Sequence, residues 1–284
     1  MSNLNLKLVP EQLDSVSMSI AREQLLEDGY CLVDGHLPAG TVEELRTWSD
    51  KWLRETEHPP HWKYQGSDVK ISGIRNPARR LPDLPRDEAV DFLIEYPAAI
   101  MDALGIGDLK AGGAFQIISK PPNAPALYWH QDWARWDDPI SMSPWPQQVF
   151  LNWYLTDTNV ENGCLRVIPG SHLKRLDLHD HLVQAHEGGG YAIEETNEWM
   201  FLDHPNAIDV PVEAGQLMIG DARLLHGTHP NRSQARRTVL LGWFYRRSNE
   251  VPKDWDREVP QEILERDPEF PMQWNREPGI YLRA

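Results

Sequence analysis

The chain has 284 residues, a formal net charge of −15 and 40% apolar residues, enough to bury one substantial core. An acidic surface repels phosphate backbones, which argues against nucleic acid as a partner. Two cysteines exclude a disulfide framework, and no apolar stretch approaches the ~20 residues of a membrane span. We therefore predict a cytoplasmic protein with no membrane association.

The first predicted element is a helix whose apolar positions include Leu13, Ile20, Leu25 and Leu26. It is expected to stop at Asp28-Gly29-Tyr30, where glycine ends the helical run. A short strand is predicted directly after it, at residues 31–33.

A second helix is predicted to run through Leu45, Trp48 and Leu53. Thr41 is a suitable N-cap for this helix, with Glu44 three residues later as its capping-box partner. Loop follows, with a short strand near 69–74, and then a third helix at 87–104 that is expected to break or restart at a proline at position 97.

The sequence pattern changes after residue 112, where short apolar or alternating runs are separated by Gly, Pro, Asn and Asp. Such a pattern predicts a sandwich or barrel of short strands. Eight strands are predicted, at 114–119, 126–130, 148–155, 164–168, 208–212, 216–219, 224–227 and 238–245. Residues 173–206 interrupt them, and a long insertion of this kind can form a lid.

These elements together predict a mainly β fold with flanking helices around a double-stranded β-helix, or jelly-roll, of the cupin-like kind. We expect a single domain over 1–284. Its parts are a mostly helical N-terminal part (1–110), a jelly-roll core (111–247) with the insertion, and a C-terminal tail (248–284) with a short helix at 261–265.

The candidate chemistry begins at Tyr128-Trp129-His130-Gln131-Asp132. On a strand end, His130 and Asp132 project from the same face, because side chains alternate with period two. Two histidines and one carboxylate form the facial triad that binds Fe(II) and leaves positions open. His226, at the end of another apolar run, is the best candidate for the third ligand, and His229 is expected in the following turn.

Arg237 lies eleven residues after His226, on the strand that returns after the turn. A keto-acid needs a fixed cation for its distal carboxylate, and the planar guanidinium suits this because it binds carboxylate in a bidentate manner. Arg236 competes for this role, since neighbours on a strand face opposite ways.

Three stretches carry a family resemblance: Trp129 to Asp132, the run Glu161-Asn-Gly-Cys-Leu-Arg-Val-Ile-Pro-Gly-Ser-His172, and His226 to Arg237. With them the chain resembles the phytanoyl-CoA dioxygenase family of Fe(II)/2-oxoglutarate oxygenases. The resemblance implies that His130, Asp132 and His226 bind iron. It further implies a set of 2-oxoglutarate contacts at Arg237, Thr228, Gln116, Asn152 and Lys70.

The resemblance also implies the reaction, in which Fe(II), 2-oxoglutarate and O2 oxidise an unactivated C–H bond and succinate and CO2 are released. We expect a small organic acid or natural product as substrate, bound by Trp133, Trp136, Arg75 and Arg166. The alternatives are an acyl-CoA hydroxylase of the same family and a non-oxygenase metal-binding jelly-roll. The oligomeric state stays open.

Overall fold

The computed structural model describes residues 15–33, 37–55, 63–64, 67–73, 97–133, 136, 138–182, 198–248, 250–253, 255–267 and 269. Within them, eleven strands form two antiparallel sheets. The strands are β1 (Tyr30–Val33), β2 (Lys63–Tyr64), β3 (Ser67–Gly73), β4 (Leu109–Lys120), β5 (Leu127–His130), β6 (Gln148–Tyr154), β7 (Leu165–Val167), β8 (Ile208–Val210), β9 (Leu217–Asp221), β10 (His226–Thr228) and β11 (Arg237–Arg246). The larger sheet has the order β1-β9-β6-β11-β4-β3-β2, and the smaller has the order β5-β10-β7-β8. All ten predicted strands are confirmed, with bounds that shift by a few residues.

Strand β11 shows how the larger sheet separates two cores. Val239, Leu241 and Trp243 face the smaller sheet, while Leu240 and Phe244 face the helices. This division follows from the two-residue period of a strand, which sends alternate side chains to opposite faces. The mainly β core with flanking helices is therefore confirmed, and the space between the two sheets is where the site lies.

Four α-helices occur in the described ranges: α1 (Ser15–Asp28), α2 (Ala39–Glu55), α3 (97–104) and α4 (Gln261–Leu264). The first ends as predicted, with Gly29 at a φ of +87° that favours glycine. Its buried face comprises Met18, Ala21, Leu25 and Leu26. The expectation for Ile20 is wrong, because it points to solvent and is 65% exposed. Residues 87–96 and Leu13 lie outside the described residues.

The start predicted for α2 is also wrong. The helix begins at Ala39, two residues before Thr41, and its first backbone bond runs from Val42 N to Pro38 O at 3.0 Å. Thr41 therefore lies inside the first turn rather than at the N-cap. The predicted apolar face is confirmed, since Leu45 is fully buried and Trp48 packs against the same core.

His172, in the turn after β7, is a buried polar group of this scaffold. It is 1% exposed, and its Nε2–H donates to Leu26 O at 3.3 Å. Burial lowers the pKa of His172 to about 4, while the charges of Asp221 and Arg223 act in opposite directions.

The predicted insertion lies between β7 and β8, and the structure describes its two ends, 173–182 and 198–206. Each end contains a short 3₁₀ helix, Asp177–His181 and Glu198–Met200. The indole N–H of Trp129 on β5 donates to Leu202 O at 2.9 Å, which ties the second end to a ligand-bearing strand. None of the helices in the described ranges has both the length and the apolar character that a membrane crossing requires.

Candidate metal centre and anion pocket

The three predicted metal ligands come together at the end of the smaller sheet. His130 closes β5 and pairs directly with His226, which opens β10, and Asp132 follows two residues after His130. One ligand atom from each residue lies within 4.8 Å of the other two, and His130 Nε2 is 3.8 Å from Asp132 Oδ1. The histidines are 5% and 6% exposed. This is the arrangement of two imidazoles and one carboxylate that binds a divalent metal on one face.

Hydrogen bonds orient each ligand. The Nδ1–H of His130 donates to Tyr128 O, and the Nδ1–H of His226 donates to Leu224 O, each at 2.9 Å. A carbonyl can only accept, so both rings carry their proton on Nδ1 and present an Nε2 lone pair to a metal. Trp243 Nε1–H donates to Asp132 Oδ2 at 3.0 Å, which leaves Oδ1 directed toward His130. The residues present therefore fit a metal ion.

Strand β10 approaches β5 unusually closely beside the ligands. A Cβ added to Gly227 would lie 2.8 Å from Leu127 O, a distance that real Cβ atoms essentially never show. The pairing of the two strands is also irregular, since His226 faces His130 whereas Thr228 faces Leu127. Irregular pairing of this kind re-aims side chains, and it is over-represented next to active sites.

Two buried cations stand opposite each other beside this centre. Arg237 at the start of β11 pairs with Lys120 at the end of β4, and the side chains are 4% and 1% exposed. Lys120 Nζ donates to Thr228 Oγ1 and to His229 O, both at 2.7 Å. Arg237 donates to Gly163 O at 2.9 Å, while its Nε has no partner. Neither cation contacts a carboxylate in the described part of the chain. We call Arg237, Lys120 and Thr228 the anion pocket.

The electrostatics of the anion pocket favour a ligand of negative charge. Burial, and then the charge of Arg237, lowers the pKa of Lys120 to about 6. Burial likewise lowers the pKa of Arg237. Like charges directly opposite on neighbouring strands are destabilising, and a pKa of about 6 leaves the Lys120 amine mostly neutral at pH 7. A bound carboxylate would favour the protonated ammonium and could pair with both side chains.

Two polar residues extend the pocket along the larger sheet. Gln116 on β4 and Asn152 on β6 both pair with Leu241 of β11, so all three side chains lie in one row facing the smaller sheet. Each polar residue is 8% exposed, and Gln116 Oε1 has no hydrogen-bond partner in the described chain. Lys70 pairs with Ile117, so its neighbour Ile71 is the residue opposite Gln116. The structure describes the backbone but not the side chain of Lys70, whose role stays a prediction.

The structure separates Arg237 from its competitor. Arg236 is exposed and donates to Ser119 Oγ at 3.2 Å on the face that is turned away from the smaller sheet. Arg237 shares its face with Val239 and Leu241, in the space between the sheets. Of the two arginines, only Arg237 lies on the side of the metal ligands.

The residues predicted to bind substrate are placed differently. Trp133 and Trp136 are 6% and 0% exposed and pack in a cluster with Ile140 and Ile263. Their indole N–H groups are satisfied, the first by Ser141 Oγ at 2.8 Å and the second by Trp133 O at 3.0 Å. Two buried indoles with satisfied donors form a packed core rather than an open pocket wall.

Of the two arginines predicted to bind substrate, the structure places Arg166, which lies outside the site. Arg166 pairs with Gly227, on the outer face of the smaller sheet, since its neighbours Leu165 and Val167 face the core. It lies 5.0 Å above the ring of Trp129 and forms an ion pair with Asp203 at 2.6 Å. Arg75 lies outside the described residues.

Sequence reasoning missed two residues of the site, Lys120 and Trp243. Both could have been found from the strand register. Trp243 lies six residues after Arg237, an even spacing that puts both on one face of β11. Lys120 becomes visible once β4 and β11 are paired from their ends, because it then lies opposite Arg237.

The family model described as phytanoyl-CoA dioxygenase (PhyH) matches residues 25–239. A probable alpha-ketoglutarate-dependent hypophosphite dioxygenase of Stutzerimonas stutzeri is 32% identical over 130 residues, which are 44% of this chain and 42% of that protein. Ectoine dioxygenase of Halomonas elongata is 25% identical over 177 residues, 56% of this chain and 53% of the relative. The matches thus span about half the length of these curated relatives.

Solved structures share the fold. The epimerase SnoN from nogalamycin biosynthesis, described as non-heme and alpha ketoglutarate dependent, superposes with a TM-score of 0.58 at 20% identity, covering 83% of each chain. SnoN in complex with Fe3+, alpha ketoglutarate and nogalamycin RO superposes with a TM-score of 0.59 at 18% identity, covering 87% of this chain and 94% of that one. The predicted cupin-like jelly-roll is confirmed by this likeness.

Proposed function

The chain belongs to the phytanoyl-CoA dioxygenase family, and from that membership and the geometry of its site we propose that it is an Fe(II)- and 2-oxoglutarate-dependent dioxygenase. The proposed reaction oxidises an unactivated C–H bond of a small organic molecule, with release of succinate and CO2. Named relatives that are alpha-ketoglutarate-dependent support the co-substrate.

One observation carries the proposal: a metal triad on the smaller sheet and two basic side chains on the larger sheet, without a carboxylate partner among the described residues, line the same space between the sheets. His226 and Thr228 lie two residues apart on β10, and Thr228 Oγ1 accepts the hydrogen bond of Lys120. Residues i and i+2 of a strand lie about 6–7 Å apart on the same side. A short dicarboxylate can therefore reach the metal with one end and the anion pocket with the other. A metal protein of another kind needs the triad but not the cations.

The proposed site contains one set of residues for the metal and another for the co-substrate. His130, Asp132 and His226 would hold iron through Nε2, Oδ1 and Nε2. When bound, iron with 2-oxoglutarate and O2 supplies the oxidant for the C–H bond, as in other facial-triad oxygenases. Arg237 and Lys120 would neutralise the distal carboxylate.

Neighbouring side chains orient the residues proposed to bind metal and co-substrate. Thr228 accepts from Lys120, so its own hydroxyl proton remains to donate to a carboxylate. Trp243 holds Asp132 so that one carboxylate oxygen faces the metal position. The ring of Phe150 on β6 packs against that of His226 with centroids 4.8 Å apart, which supports the His226 imidazole from the side of the larger sheet.

The substrate class rests on the relatives. Hypophosphite and ectoine appear in their names, and both are small molecules. A small organic acid or natural product remains our proposal for this chain, with an acyl-CoA as the alternative. Succinate formation measured over a panel of small acids, natural products and acyl thioesters decides between them.

Anaerobic titration of the metal-free protein with Fe(II) and then 2-oxoglutarate tests the activity class. We expect the weak visible charge-transfer band of a keto-acid chelated to Fe(II). Asp132→Ala should abolish this band and succinate release while the protein remains folded by circular dichroism. Iron binding without the band would show a metal jelly-roll of another kind and would refute the proposal.

A further inference from the structure

A second group of metal-ligating side chains lies on the outer face of the smaller sheet. Asp209 lies on β8, while Cys164 immediately precedes β7 and His229 immediately follows β10, so the three residues stand on or beside three adjacent strands. We call these three residues the outer cluster. They are separate from the iron triad, because side chains of the outer cluster and those of His226 and Thr228 project from opposite faces of the sheet.

The ligand atoms of the outer cluster converge. One atom each from Cys164, Asp209 and His229 lies within 4.8 Å of the other two. His229 Nε2 and Asp209 Oδ1 are 2.6 Å apart. Sulfur, imidazole nitrogen and carboxylate oxygen are together the donors that Zn(II) takes in tetrahedral sites, with a fourth position left for water.

The backbone beneath these ligands is held from the other side of the sheet. His229 O accepts from Lys120 Nζ at 2.7 Å, and His229 N donates to Cys164 O at 3.1 Å. Gly163 O, one residue before Cys164, accepts from Arg237 at 2.9 Å. Metal sites are precise when their ligands stand on strands whose positions are fixed by such contacts. The outer cluster therefore needs only small side-chain shifts to close around an ion.

Charge and access also suit a cation. Asp209 is 41% exposed and His229 17% exposed, which gives an ion a path from solvent. Arg166 Nε lies 3.7 Å from Asp209, but the same guanidinium is neutralised by Asp203 at 2.6 Å. With Cys164 as a thiolate, the two aspartates, Arg166 and a divalent ion sum to zero charge. Burial raises the pKa of the Cys164 thiol to about 11, so an entering metal displaces that proton.

We propose that Cys164, Asp209 and His229 form a second metal site, specific for a borderline-soft divalent ion such as Zn(II). The thiolate distinguishes it chemically from the triad of two histidines and one aspartate. Soft sulfur ligands select zinc and related ions over the harder ions that prefer oxygen. The second site shares no ligand with the oxygenase proposal, although Lys120 and Arg237 contact its backbone.

Co(II) as a spectroscopic probe tests the site in the full chain. A cysteine thiolate bound to Co(II) gives a near-ultraviolet charge-transfer band that the sulfur-free triad cannot give. We expect this band to saturate at one equivalent of Co(II) per chain at the thiolate site and to disappear when Zn(II) displaces the probe. Cys164→Ser should remove the band. Cys31→Ser, which changes the other buried cysteine, should retain it.

Asp209→Asn keeps the test decisive if Cys164→Ser fails to fold, because Asp209 is a surface residue and the thiol remains. Loss of the carboxylate should weaken Co(II) binding by about tenfold or more, as loss of even an outer-shell partner commonly does. The absence of a thiolate band in the unmodified protein would overturn the second site. Wild-type Co(II) affinity in Asp209→Asn, or a band that survives in Cys164→Ser, would also overturn it.

Discussion

Replacing Arg237 by methionine should uncouple 2-oxoglutarate binding from iron binding. Methionine is close in length and apolar, so it fills the space without the charge. The lost contact is a charge-assisted hydrogen-bonding fork to carboxylate, in a position only 4% exposed. Its removal should cost about 2–4 kcal/mol of binding free energy, which raises the Kd for 2-oxoglutarate by roughly 30- to 700-fold.

The stability of Arg237→Met should change little, which distinguishes a binding role from a structural one. The variant loses one hydrogen bond to Gly163 O, worth about 1 kcal/mol. It also removes the charge that, together with burial, lowers the pKa of the opposite Lys120 amine. We therefore expect the free energy of unfolding in the metal-free state to stay within about 1 kcal/mol of wild type.

The assay is anaerobic titration of the Fe(II)-loaded protein with 2-oxoglutarate, read from the charge-transfer band, with Fe(II) affinity measured separately. Arg236→Met is the matched control, since Arg236 is an exposed neighbour on the opposite face. It should leave the Kd for 2-oxoglutarate unchanged. A wild-type Kd in Arg237→Met, or an equal loss in Arg236→Met, would refute the assignment.

Three further variants probe the rest of the site and its scaffold. Lys120→Met should raise the Kd for 2-oxoglutarate about tenfold without changing Fe(II) affinity, because one charged contact is lost; an unchanged Kd in the same titration would contradict this. Trp243→Phe removes the hydrogen bond to Asp132 Oδ2 and should weaken Fe(II) binding by about 10- to 100-fold in a competition titration with a chelator; wild-type Fe(II) affinity would count against it. Burial lowers the pKa of His172 from 6.5 in the unfolded chain to about 4 in the folded protein. The unfolded chain therefore binds protons more readily as pH falls, and about 3 kcal/mol of the free energy of unfolding should be lost as the pH falls from 6.5 to about 4. In His172→Gln, the free energy of unfolding measured with urea should fall less over this pH interval, by about 3 kcal/mol. A fall equal to that of the wild type would rule out His172 as the origin of the pH dependence.

Much of the β core could be predicted because strands leave a strong local signal. Alternation and turn residues predicted every strand from β4 to β11. They left the choice between Arg236 and Arg237 open, and the structure places Arg237 on the inward face. The metal ligands follow from the same rule, since His130 and Asp132 are two residues apart at a strand end. Period two makes such inferences reliable, because a slip of one residue would send every apolar side chain to solvent.

Helix starts and tryptophan roles could not be predicted in the same way. The choice of Thr41 as N-cap used residue preference alone, whereas the backbone of Pro38 already accepts the first helical bond. Trp133 and Trp136 follow the ligand strand, so pocket wall and core were equally consistent with the sequence. In the structure both side chains pack in a buried cluster with Ile263, about 130 residues away in the chain. Local sequence patterns do not reveal packing between residues so far apart in the chain.

The contrast between two buried arginines of the same protein supports the proposed role of the anion pocket. Arg223 is 1% exposed, and its guanidinium donates through both Nε and a terminal nitrogen to the carboxylate of Asp221, at 2.9 and 2.6 Å. Its other terminal nitrogen donates to backbone carbonyls, so this arginine is satisfied by the fold itself. Arg237 is 4% exposed, yet among the described residues it has one carbonyl partner, an Nε without a partner and Lys120 as its facing neighbour. A fold that needed Arg237 only for stability would supply a carboxylate, as it does for Arg223. The missing counter-charge is therefore the part that a dicarboxylate co-substrate would supply.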